Sequence, residues 1–295
     1  MNPRSVDARP PVHATAGVTW KLHCEIVLLA GWGRAILLQL AHPLVARGVA
    51  EHSGFLTEGW GRLARLRRTL SAMLTLTFGT REEVERVARA INAIHDRVHS
   101  ELPTPHDAFP ERARYTAHDP RLLAWVHATL VDSFLRTYEL FVSPLGPEER
   151  DRYCAESSAI EPLLGIPAGS LPRSVAELRA YMDGMLASGE IVVTDTARRL
   201  AREVVYPPGL AVGWPLLALA RLPTVGLLPA SIRRQYGFPW DTRRERALVV
   251  VAAIARRLLP LLPSVLRHWP AARAARRRER AAGRDQPAPG VRSSR

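Results

Sequence analysis

Lysine is almost missing from this chain: Lys21 is the only one, and every other basic residue is arginine. Cysteine is nearly as scarce. Cys24 and Cys154 stand far apart with no CxxC or CxxCH, which excludes a disulfide framework, a zinc knuckle and a covalent c-type haem attachment. Long apolar runs are also lacking: residues 26–40 are broken by Gly31, Gly33, Arg34 and Gln39 and fall short of the roughly 20 residues a bilayer span needs. Residues 1–17 carry Arg4 and Arg9 with no apolar core behind them, so no secretory leader is expected and a reducing cytoplasm is the expected setting. HExxH, GxGxxG, a Walker-type loop and GxSxG are all absent, which removes the zinc-protease, dinucleotide, P-loop and nucleophile-elbow readings.

What is present suffices for a large core. The chain has 295 residues, 47% of them hydrophobic, and a formal net charge of +13 from 41 basic against 28 acidic residues. The excess is uneven, since residues 271–295 hold eight arginines against Glu279 and Asp285, a net of +6. Arginine usage of this kind also follows from genome composition, so no nucleic-acid partner is inferred. The tail reads as mostly disordered with a short helical start through Arg280; either it solubilises the chain or it makes a peripheral contact with a membrane surface or an acidic partner.

The rest reads as helix after helix. Thr80-x-x-Glu83 is a capping box opening a helix to about Ser100. Asp119-Pro120 supplies an N-cap and a first-turn proline, followed by Leu123, Val126, Leu130, Phe134 and Phe141 at three- and four-residue steps and beyond. Pro147 opens a helix that Gly165 stops, Ser174-x-x-Glu177 caps the next, and Thr242-x-x-Glu245 opens the last, through Leu259. Alternating β patterns are lacking apart from a hint at residues 190–193. These signals predict an all-α fold with one domain over residues 18–268, a flexible N-terminus over 1–17 and a basic tail over 269–295.

Polar groups interrupt the apolar stripes at a few places. At 100° per residue Val84, Val87, Ala88, Ile91, Ile94 and Val98 share one face, and His95 falls inside it with His99 at its margin. His127 falls likewise among Leu123, Leu130 and Phe134. A buried imidazole needs a hydrogen bond or a metal. On the preceding helix, expected to start near Gly59, Leu63, Leu66, Leu70 and Leu74 make the core stripe. Arg65 and Thr69 lie one turn apart on a second face, where a permanent cation and a hydroxyl could serve an anion or a polarised oxygen. Glu51, beside His52 and Ser53, could act as an acid or base if buried.

Taken in order, these segments resemble the rubber oxygenase and MpaB family of haem proteins. The resemblance spans roughly residues 26–202. It rests on His42-Pro43 with Glu51-His52-Ser53, Arg65-x-x-x-Thr69, Phe78-Gly79, His95-x-x-Val98, Tyr115-x-Ala117-x-Asp119-Pro120 and Trp125-Val126-His127-Ala128-Thr129-Leu130. It implies a globin-like helical domain holding a non-covalent haem b, whose iron takes a proximal histidine. It also implies an oxygenase that acts with dioxygen on the double bonds of apolar, prenyl-type molecules. Carried over by position, His95 is the implied axial ligand, with His99 its competitor and His127 third. Arg65 and Thr69 are the implied polar groups near the haem, and Glu51 the implied acid–base group. The rubber-cleaving enzymes place a distal lysine where this chain has Arg68, and with no export signal expected, a small apolar substrate is expected rather than rubber. Two other classes stay open on the residues alone: a non-catalytic helical binding or membrane-surface protein, and a non-haem metal protein using His95, His99 and His127.

Overall fold

A computed structural model describes residues 17–52, 60–102, 105, 108–206 and 221–284, with the backbone alone for residues 60–66, 283 and 284. Among the described residues the protein is all-helical apart from one two-stranded hairpin. The helices are α1 (Val18–His23), α2 (Leu29–Leu40), α3 (Pro43–His52), α4 (Trp60–Phe78) and α5 (Arg81–His95). After the hairpin of β1 (His99–Glu101) and β2 (Arg114–Thr116) come α6 (Pro120–Phe141), α7 (Pro147–Ser157), α8 (Glu161–Leu164), α9 (Val175–Ala187) and α10 (Asp195–Val205). The chain then continues through α11 (221–226), α12 (Ala230–Tyr236), α13 (Thr242–Leu258), α14 (Ser264–Arg267) and α15 (Pro270–Arg284).

The core is built on α2 crossing α6, with α3, α10 and α12 closing over them. Two glycines explain how closely α2 is approached. A Cβ at Gly31 would sit 2.2 Å from Thr137 Oγ1 of α6, and one at Gly33 would sit 2.5 Å from Thr224 Oγ1 of α11. The same helix buries a charge: Arg34 is 2% exposed, and its Nη2 lies 2.7 Å from Asp132 Oδ2. Its Nη1 donates to Ser133 Oγ at 2.6 Å and its Nε to the Leu227 carbonyl at 2.6 Å. Three elements are thus tied at one guanidinium, whose fork geometry suits such convergence.

Local signals set most helix starts. Thr80 and Glu83 form the reciprocal capping box of α5, Asp119 Oδ1 caps α6 ahead of Pro120, and Ser174 caps α9. For α13 the cap is Asp241, accepting from the Arg244 N–H, rather than a side-chain box on Thr242. The segment from Pro147 to Gly165 is not one helix: α7 passes through a 3₁₀ turn at Ser158–Ile160 into α8, where Gly165 adopts φ +70°.

Three expectations are corrected here. Residues 190–193 form no strand among the described residues, and the hairpin lies instead at residues 99–101 and 114–116. The helix of residues 242–258 is not the last. Nor does the helical start of the tail stand free, because α15 buries Ala272 and Ala275 against Trp20, Cys24 and Phe78. Arg278 donates to the Phe78 carbonyl and the Arg276 guanidinium lies 4.1 Å from the Trp20 ring centroid, fastening α15 to α1 and α4. Residues 1–16 and 285–295 lie outside the described residues.

Candidate active site

His95 ends α5, and the way the helix ends determines where its neighbours go. The Val98 N–H turns back to the His95 carbonyl at 3.0 Å and the Arg97 N–H to that of Ile94 at 3.1 Å, a three-residue spacing that tightens and closes the helix. The Ala117 N–H then donates to the Val98 carbonyl, and β1 pairs antiparallel with β2 in the register His99 with Thr116, Ser100 with Tyr115 and Glu101 with Arg114. His99 therefore stands on a strand, exposed, and not one helical turn from His95. This corrects the helix expected to run to Ser100, and with it the paired-imidazole metal site built on that spacing.

His95 itself is half-buried, with Nδ1 sealed from solvent and without a hydrogen-bond partner among the described residues. Its ring meets that of His118 edge-on at 5.8 Å, and His118 Nε2 is 2.7 Å from Asp96 Oδ1. Burial, aided by the neighbouring His118, holds the His95 pKa below the usual histidine value, and Asp96 only partly opposes this. A neutral imidazole with an unclaimed nitrogen is the state a metal ligand requires. One turn earlier, Asn92 gives its amide N–H to the Leu163 carbonyl but leaves Oδ1 buried and unpaired. The apolar stripe of α5 does not close over this end: Val84 and Ala88 are buried, whereas Ile94 is 51% exposed.

Glu51, at the end of α3, is engaged on both oxygens. Tyr115 Oη donates to Oε2 at 2.9 Å, and Arg47 pairs with Oε1. Burial first, and the Glu51 carboxylate second, push the Tyr115 phenol above its ordinary pKa, so it keeps its proton and serves as the donor. Tyr115 is seated because α3 presents Gly48 to it, where an added Cβ would lie 3.3 Å from Tyr115 Cε2 and 3.4 Å from Val98 Cγ1. The strand β2 and the turn after it thus touch both groups, Glu51 through Tyr115 and His95 through His118.

The other expected residues lie on α4 and α6. Arg65 lies in the backbone-only part of α4, outside the described side chains. Thr69 is exposed on α4, and His127 is half-buried on α6.

Two histidines beyond those expected lie among aromatic rings, His42 buried and His23 half-buried. His42, between α2 and α3, is 1% exposed, with Nδ1 unpaired, its ring 5.3 Å from that of Phe109, and Nε2 3.8 Å from Glu190 Oε2. Burial, then the Arg121 charge, lower its pKa from 6.5 to about 4. Glu190 does not offset this, because Arg121 takes up its charge at 2.5 Å. Between those two values the unfolded chain binds a proton that the folded one refuses, so stability is lost as pH falls from 6.5 to about 4. The contribution is up to ~3 kcal/mol, and urea titrations of His42→Gln across this range are expected to show a flatter pH dependence than the parent. His23 is satisfied at both ring nitrogens, by Thr77 Oγ1 at 3.1 Å and Tyr153 Oη at 3.0 Å. It lines an apolar cavity of about 40 Å³ with Trp32, Leu70, Met73 and Phe134, well below the ~300 Å³ at which ligand pockets begin.

One group of potential metal ligands, Cys24, Glu25 and His268, lies within 4.8 Å among the described residues. Arg267 clamps both Glu25 oxygens at 2.8 Å through Nε, and burial pushes the Cys24 thiol up to about 12. A carboxylate held by a cation and a thiol held protonated make a poor donor set, so this cluster acts as a staple between the start of the chain and its last helices. Among the histidines expected as ligands, His95 fits an iron ligand better than His99, which is exposed on a strand, and it is half-buried where His42 is 1% exposed.

An uncharacterized protein of Mycobacterium bovis and one of Mycobacterium tuberculosis are each 27% identical to this chain over 239 residues, covering 76% of this chain and 87% of theirs. No solved structure matches it. The family described as ER-bound oxygenase mpaB/B'/Rubber oxygenase, catalytic domain, matches residues 20–257, from α1 to the end of α13, and the chain belongs to that family.

Proposed function

We propose that the protein is a haem b-dependent oxygenase whose iron His95 would hold, acting with dioxygen on an apolar, prenyl-type small molecule. The observation that carries this reading is the unpaired, neutral imidazole of His95 at the open end of an apolar helix face, in a chain of an oxygenase family. Haem iron, when bound, would supply the activation of dioxygen. The remaining work falls to side chains. His95 offers its lone pair without first losing a proton. Arg65 and Thr69, one turn apart on α4, would set the polarity near the reacting oxygen. Glu51 would take or give a proton at Oε2, with the Tyr115 hydroxyl, 2.9 Å away, holding that oxygen in place. A cytoplasmic setting belongs to the proposal and is supported by both cysteines being buried free thiols.

The full chain, expressed with added haem precursor, is expected to show a Soret band and to contain one iron per chain by elemental analysis. A colourless protein that takes up no haem on reconstitution overturns the reading. Glu51→Ala is expected to keep that band while oxygen uptake with a short polyprenyl compound falls by ~100-fold or more. Full activity in that variant removes Glu51 from the mechanism.

A further inference from the structure

The C-terminal helices carry a surface that the oxygenase reading leaves without a role. Eight of the eleven large apolar side chains exposed among the described residues fall within residues 249–266: Val249, Val250, Ile254 and Leu258 on α13, then Leu261, Leu262, Val265 and Leu266 across the turn into α14. Leu261 on the turn and Leu266 on α14 stand furthest out, 77% and 64% exposed. At 100° per residue the four α13 positions occupy one half of the helix, opposite Leu248 and Ala252, which bury against Phe141. Exposure concentrated in one stretch of the chain in this way marks a contact surface rather than scattered exposure.

Its charge identifies the contact. No aspartate or glutamate occurs between Glu245 and Glu279, while arginines stand at 246, 256, 257, 267, 273, 276, 277 and 278. Arg246 and Arg257 fall on the exposed half of α13, between the apolar side chains, and neither has an ion-pair partner among the described residues. A second copy packed here about a two-fold axis would bring arginine against arginine. Residues 285–295 offer only Ala288 and Val291 as apolar cover. A surface that accepts apolar side chains and returns negative charge is an anionic phospholipid bilayer. The strip also runs beyond the family match, which ends at residue 257.

We infer that α13, the following turn and α14 form a docking face for anionic membranes, with Leu261, Val265 and Leu266 entering the interface and Arg246 and Arg257 meeting headgroup phosphates. The contact lies on these helices rather than on the basic tail, and it holds whether or not the chain binds haem.

Flotation of the full chain with vesicles tests it. Binding is expected on phosphatidylcholine mixed with an equal amount of phosphatidylglycerol, to be weak on phosphatidylcholine alone, and to decline as salt rises. Leu261→Asp with Leu266→Asp is expected to weaken binding by at least ~tenfold while circular dichroism and the thermal midpoint stay unchanged. Arg246→Glu with Arg257→Glu is expected to remove the preference for phosphatidylglycerol. Four results overturn the inference: no binding to either vesicle, binding that survives the leucine variant, a dimer in light scattering that the leucine variant dissociates, or a thermal midpoint lowered by that variant, which would mean the face is already covered within the chain.

Discussion

His95→Ala is expected to abolish the Soret band while leaving the helical circular dichroism intact. The residue closes α5 and is only half-buried, so truncating it opens little core. What it removes is the one imidazole nitrogen, among the candidate ligands expected from the sequence, that is buried with no competing hydrogen bond. Loss of outer-shell partners alone costs ~10–100-fold in metal affinity, so loss of the ligand should exceed that range. His99→Ala and His127→Ala should bind haem as the parent does, since His99 is turned out on β1 and His127 sits on α6 rather than at the end of α5. His95→Gly with imidazole in the buffer should recover the band. A full Soret band in His95→Ala would move the ligand elsewhere, and its loss in His127→Ala alone would name the replacement.

The features legible in the sequence were those set by neighbours a few residues apart. Thr80 with Glu83, Asp119 with Pro120, Ser174 with Glu177 and Gly165 all act locally, and each stands where its spacing predicts. The end of α5 was not legible, because nothing in Asp96-Arg97-Val98 stops a helix. The stop comes from pairing with residues 114–117, across a connection whose closure no local pattern reports. That single miss placed His99 on the wrong element and created a metal site that does not form. Tyr115 entered only as part of a motif, and its bond to Glu51 depends on the close approach that Gly48 allows. His42 was visible before Pro43, but its burial comes from Phe109, Glu190 and Arg121, residues distant in sequence. The docked α15 was obscured by its own arginines, since composition suggested a solvated tail while Ala272 and Ala275 gave too narrow an apolar face to stand out.

The largest loss of stability is expected from Asp132→Ala. Burial opposes ionisation of Asp132, yet Arg34 and Arg136 outweigh it and hold the carboxyl below its ordinary range. The pair is therefore charged in the folded chain, with Arg34 2% exposed in the centre of the α2–α6 crossing. Removing the carboxylate leaves that guanidinium with only Ser133 Oγ and the Leu227 carbonyl, and an unpaired buried charge costs ~3–5 kcal/mol. Urea denaturation should show the midpoint falling accordingly. Arg34→Met should cost less, because Asp132 retains Arg136 at 2.9 Å and that arginine reaches solvent. The double variant Arg34→Met with Asp132→Leu should recover most of the loss, since a matched apolar pair can replace a buried ion pair at little cost. The carboxylate's contribution is present above its unfolded pKa and is lost as pH falls through the lowered folded value, so the difference between parent and Asp132→Ala should shrink on acidification. A cost for Asp132→Ala no greater than that for Arg34→Met would show that this pair does not organise the crossing.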